Sequence, residues 1–176
     1  MNFKEYEEKA ITTRVYSPKV ALPYVVLGLC GETGEFFEKL LKVEARDLVL
    51  KEIGDILWYS AAIRVELNLD PIEWPAAKGM DKNAGFLIQA NVGVIAEQMK
   101  KYLRDDWNEE EPMKELSEDR KQKIHEALTI ILQNLQSMAG KYFNVSLEAI
   151  AEDNIKKLAK RKANNCLHGS GDSDIR

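Results

Sequence analysis

Along most of this chain apolar residues recur every three to four positions, the spacing of one helix face. Phe3, Tyr6, Ala10, Ile11 and Val15 mark an amphipathic helix over 2–16, which Ser17-Pro18 should end. Pro23 suits the first turn of a second helix reaching residue 43. Its core face would be Leu29, Phe36, Phe37, Leu40 and Leu41; Gly28, Gly31, Glu32, Glu35, Glu38, Lys39 and Lys42 form the other face. A third helix, over 45–68, is apolar nearly all the way round, which predicts burial. Asp70-Pro71-Ile72-Glu73 reads as an N-cap, a first-turn proline and a capping acid, predicting a short helix closed near Lys78-Gly79. Helices follow over 84–104, over 117–143 with Ile124, Leu128, Ile131, Leu132, Leu135 and Met138 as its apolar stripe, and over 147–162 behind a Ser146 cap. The acidic stretch 105–118, with Pro112, is a predicted loop. Residues 164–176 read as a polar tail. No strand-period segment or hairpin signal occurs, so the expected fold is an all-α helical bundle, one domain over 1–176.

A faint internal repeat runs through this pattern. Sliding 25–42 onto 87–104 matches Gly31 to Gly93, Glu35 to Glu97, Lys39 to Lys101 and Leu41 to Leu103; 52–70 lies over 128–146, matching Asn68 to Asn144. Halves of about 1–80 and 84–163 would result. Glu32, Glu52 and Asp55 then fall opposite Val94, Leu128 and Ile131, so the second half would keep the helical hairpin and lose most acids. Chance similarity between amphipathic helices is the competing account.

Composition narrows the function. With 45% hydrophobic and 31% charged residues the chain is globular. Its net charge of −4 argues against binding a nucleic-acid polymer. Cys30 and Cys166 make no disulfide framework. The N-terminal stretch is polar from the start, and the longest apolar runs, near 21–30 and 56–63, fall short of a membrane span. A cytoplasmic protein with no membrane partner is the expectation.

The chemistry concentrates in 28–63. Glu32-x-x-Glu35 and Glu52-x-x-Asp55 each place two carboxylates on one helix face, and a helical hairpin would bring the four together. Glu52 and Asp55 sit among Leu48, Tyr59, Ala62 and Ile63, and buried carboxylates need a compensating cation. Carboxylates without histidine or cysteine select Mg²⁺ or Mn²⁺. The di-iron alternative needs Glu-x-x-His, but Gln122 and Asn165 stand three residues before His125 and His168. Mg²⁺ commonly binds substrate phosphates, and the basic last helix could neutralise their charge. Gly28 and Gly31 on the acid face would let a ligand or another helix approach closely. Trp58 and Tyr59 are either core aromatics or a stacking surface for a base.

GLCGETGEFFEKLLK followed by LVLKEIGDILWYSAAI resembles the MazG-like nucleotide pyrophosphohydrolases, the all-α NTP pyrophosphatases. Asn154, Lys157, Leu158 and Arg161 match the closing Asn-x-x-Lys-Leu-x-x-Arg of such chains, and Gly169-Ser-Gly-Asp-Ser-Asp-Ile-Arg176 is similar to phage-type endings. The intervening segment, 74–143, departs from compact members and is similar to the tandem dimeric dUTPase branch. The resemblance implies Mg²⁺-dependent hydrolysis of a nucleoside triphosphate, with deoxynucleotides favoured, to the monophosphate and pyrophosphate. It implies metal ligation by Glu32, Glu35, Glu52 and Asp55, a second, catalytic task for Glu35 beside the attacking water, and a homodimer or homotetramer. Lys51, Lys157 and Arg161 would hold phosphate, and Asn154 sugar or phosphate. The rival reading is a non-catalytic helical regulator whose acids bind a structural cation.

Overall fold

The computed structural model describes residues 1–76, 78–107 and 116–167. Six helices follow in order: α1 Phe3–Ala10, α2 Ala21–Leu41, α3 Arg46–Glu66, α4 Ala84–Asp105, α5 Glu118–Phe143 and α6 Leu147–Ala163, with 3₁₀ turns at Ile11–Thr13 and Pro18–Val20. No strand occurs among the described residues. The all-α architecture is the one the periodicity predicts.

Two antiparallel hairpins, α2/α3 and α4/α5, pack through α2 on α4 and α3 on α5, while α1 and α6 close over α3. The all-round apolar pattern of α3 is thereby explained. Ile53, Ile56, Leu57 and Ile63 are fully buried, and so is the predicted stripe of α5 from Ile124 to Leu135. Under the register that lays 25–42 over 87–104, α2 and α4 share bounds to within about two residues. Asn68 and Asn144, matched in the second register, both adopt the left-handed conformation after their helices, at φ 49° and 50°, where asparagine is well tolerated. Opposite Glu52 and Asp55, Leu128 and Ile131 are fully buried. Among the described residues, only the first of the two hairpins carries acids in its core.

Three expectations need correction. The first helix stops at Ala10 rather than reaching residue 16. Thr13 donates back to the Ala10 carbonyl at 2.6 Å, and the Trp58 indole donates to that carbonyl at 3.1 Å and to Thr13 Oγ1 at 3.0 Å. These bonds compete with helix continuation, and Val15 is left exposed. The second helix ends at Leu41, and Val43 turns left-handed at φ 55°; Leu41, expected in the core, is 85% exposed. No helix forms over 70–76 or 78–80. That segment is tied down by tertiary contacts instead. Arg64 of α3 pairs with buried Glu7 and donates to the carbonyls of Leu69 and Asp70. Trp74 stacks edge-on against Phe3 at 4.8 Å and donates to the Met1 carbonyl at 2.7 Å.

The run Pro18–Leu41 is long and apolar enough, by length and composition, to cross a membrane, which counting contiguous apolar residues had not suggested. In the fold its Val25, Val26, Leu29 and Phe36 are buried within the bundle. Parts of the predicted loop over 105–118, His168 and the Gly169–Arg176 ending lie outside the described residues.

Candidate metal and phosphate site

The acids converge where α2, α3 and α6 meet. Glu32 of α2 and Glu52 and Asp55 of α3 each offer a carboxylate oxygen, and these atoms lie within 4.8 Å of one another. Glu35 stands apart from that trio. It is exposed one turn further along α2 and lines the mouth of the same cleft. The cleft has a volume of about 630 Å³, and Lys51, Asn154, Lys157 and Arg161 also border it. All eight residues singled out in the sequence therefore face one cavity, with three at its acidic floor.

The two acids of α3 each have a protein counter-charge. The ammonium of Lys39 contacts Glu52, which is 3% exposed. Lys157 Nζ sits 2.6 Å from both Asp55 oxygens, and Asn154 Nδ2 donates to Asp55 Oδ1 at 3.2 Å. Even so, burial pushes the Asp55 carboxyl up, against the opposing pull of Lys157. Glu32 is pushed up to about 8, first by burial and then by the negative charge of Asp55, Glu52 and Glu35. Positive charge is therefore under-supplied at Glu32, and the donor set, carboxylate oxygens alone, suits a hard dication.

Helix placement depends on two glycines. A Cβ at Gly28 would lie 2.1 Å from the Tyr59 ring, so glycine lets that aromatic press against α2. A Cβ at Gly54, between the two α3 acids, would meet Asn154 Nδ2 at 3.0 Å, so glycine brings α6 onto the acids. Gly31 meets nothing and faces open space. Trp58 and Tyr59 pack edge to face at 4.9 Å, and Tyr24 lies 6.3 Å from Tyr59 at the cleft rim. Trp58 spends its N–H on Ala10 and Thr13, as a core aromatic does.

Sequence reasoning left Lys39, Gly54 and Tyr6 without a site role. Lys39 carried a signal, lying seven residues after Glu32 on the same helix face. Gly54 carried one too, as a glycine between two acids. Tyr6 carried none.

No protein-family model matches the chain, and no solved structure matches it. A stretch of 58 residues is 36% identical to the Gene 37 protein of Mycobacterium phage L5, covering 27% of this chain and 51% of that protein. The chain thus spans about half the length of this relative.

Proposed function

We propose that the chain is a MazG-like nucleoside triphosphate pyrophosphohydrolase, using Mg²⁺ to split a nucleoside triphosphate, with deoxynucleotides favoured, into the monophosphate and pyrophosphate. The observation that carries this reading is the carboxylate trio at the floor of a cleft whose wall is cationic. Glu32, Glu52 and Asp55 would hold Mg²⁺ or Mn²⁺, with Glu35 completing the set from the rim. The bound dication would supply Lewis-acid charge neutralisation and a more acidic water. Lys157 and Arg161 would grip the phosphates, Arg161 through planar two-pronged contacts, and Lys51 would assist from the facing wall. Glu35, exposed beside the trio, would orient the attacking water and receive its proton. Asn154 gives its amide to Asp55 and so serves the acids as well as the substrate.

This reading expects a cytoplasmic homodimer or homotetramer. Exposed Leu27, Leu41 and Phe86 on α2 and α4 support association. It also takes the α4/α5 hairpin as a degenerate copy of α2/α3, in keeping with the matched helix bounds and asparagine caps.

The test is pyrophosphate release from a panel of nucleoside and deoxynucleoside triphosphates. Turnover should require Mg²⁺ or Mn²⁺, vanish in EDTA, and be abolished by Glu52→Gln or Asp55→Asn with helicity retained. Full activity in EDTA would sink the proposal. A second reading has one observation in its favour: Lys39 and Lys157 already pair with Glu52 and Asp55. On that account the cluster is a polar network in a helical regulatory protein. A chain that neither binds Mn²⁺ nor hydrolyses any nucleotide would support it.

A further inference from the structure

Tyr6 lies outside every acidic or basic motif, on α1, yet its side chain ends at the site. The residue is fully buried, with its ring against Phe3 at 6.1 Å and Trp74 at 5.9 Å. Its hydroxyl donates to Asn154 Oδ1 at 3.0 Å. Asn154 is itself buried, at 4% exposure, and its other amide end donates to Asp55 Oδ1 at 3.2 Å. A side-chain amide has one accepting and one donating end. With the oxygen held by Tyr6, the NH₂ group faces the carboxylate; a flipped amide would set its oxygen against Asp55, two acceptors in contact. Gly54 admits this amide, because a Cβ there would crowd Asn154 Nδ2 at 3.0 Å.

We infer that Tyr6 is a positioning residue for Asp55, acting through the Asn154 amide. The inference rests on the reading of Asp55 as a metal ligand. Lys157 also holds Asp55, but a lysine that turns to a substrate phosphate shares its three donors and loosens its hold on the carboxylate. The Tyr6–Asn154 pair stays, because both are packed in the interior and neither can follow the substrate. It therefore keeps Asp55 in one rotamer while the counter-charge changes hands. Groups that orient a metal ligand in this way commonly change metal affinity by about 10–100-fold when removed.

Tyr6→Phe keeps the ring and its packing and removes only the hydroxyl. Two readouts decide the matter: the Mn²⁺ dissociation constant, from the free-ion paramagnetic resonance signal, and the ¹H–¹⁵N signals of the Asn154 side-chain amide. Tyr6→Phe is expected to weaken Mn²⁺ by about 10-fold and to move the amide signals. Tyr6→Phe/Asn154→Ala should be no worse than Asn154→Ala alone, because the two act in series. Circular dichroism confirms that each variant is helical, and Asn154→Leu, close in volume and without an amide, serves if Asn154→Ala does not fold. An unmoved amide signal, a dissociation constant within about twofold of wild type, or additive losses would each overturn the inference. A wild-type chain that binds no Mn²⁺ refutes the metal reading instead, and the amide signal then decides whether Tyr6 orients Asn154.

Discussion

The contact between Lys157 and Asp55 makes a prediction with a calculable size. Lys157 Nζ lies 2.6 Å from both carboxylate oxygens, and the two side chains keep 18% and 25% of their surface. At an effective dielectric constant of about 20, unit charges at that range attract by roughly 6 kcal/mol. Desolvation offsets much of this, and removing one partner of a fully buried pair costs about 3–5 kcal/mol. The residual exposure lowers the expectation for Lys157→Met to about 2–3 kcal/mol in the metal-free chain. For a domain of this size that is a fall in Tm of about 4–12 °C. The loss comes from an unpaired carboxylate, so neutralising Asp55 should recover most of it. Lys157→Met/Asp55→Asn should therefore unfold at higher urea than Lys157→Met. Saturating Mg²⁺ should also raise Lys157→Met more than wild type, because the dication takes the place of the ammonium. If the double variant is as unstable as Lys157→Met alone, the lysine contributes packing rather than charge, and the electrostatic argument for the site fails with it.

Three other outcomes follow from the geometry. Glu32 and Asp55 are both pushed up on folding, Glu32 to about 8, so the folded chain holds protons more tightly than the unfolded one. The Glu32 contribution is present below about pH 4.5 and is lost as the pH rises through about 8, and Asp55 acts in the same direction; the metal-free Tm should fall across the Glu32 window and Mg²⁺ should flatten the slope, whereas equal profiles with and without Mg²⁺ refute the coupling. Gly28→Ala should destabilise by about 1–3 kcal/mol in urea unfolding despite alanine's better helix propensity, because its methyl meets the Tyr59 ring, while Gly31→Ala, facing open space, should stabilise by up to about 1 kcal/mol; the reverse order would contradict the packing. Arg161→Ala should lower kcat/KM by about tenfold or more, the loss of one charge-assisted contact, and wild-type kinetics would remove Arg161 from phosphate binding.

The helices of the two hairpins were legible because each has an apolar face long enough to impose its period. The acids of α3 were legible for a related reason: Glu52 and Asp55 interrupt an otherwise apolar helix, and a buried charge needs a partner. Where local signals met distant ones, local reading failed. Asp70-Pro71-Ile72-Glu73 has the chemistry of a helix start, but Arg64 holds its first carbonyl, and Phe3 and Met1, the latter 73 positions away, hold Trp74. Ala10 ends α1 because an indole 48 positions away takes its carbonyl. Leu41 fits a helical stripe, yet the helix stops there and its outer side faces water. Charge alone assigned the basic last helix to the acidic site, but Lys157 itself was singled out only through the family resemblance. Tyr6 had no local mark, since its partner lies 148 positions away.

That separation has a consequence during synthesis. Asp55 and Lys157 are 102 residues apart, and at about 5–20 residues per second a ribosome needs roughly 5–20 s to make the second after the first. The hairpins depend on local contacts and can form early, so the nascent α2/α3 pair presents its acids before α6 exists. Lys39, 13 residues from Glu52, is the first counter-charge to arrive. Lys157 cannot yet reach Asp55, whereas a dissolved cation can. An ion that entered then would reach Asp55 before the lysine could compete for it, so metal loading during translation would follow a different course from loading of the finished protein.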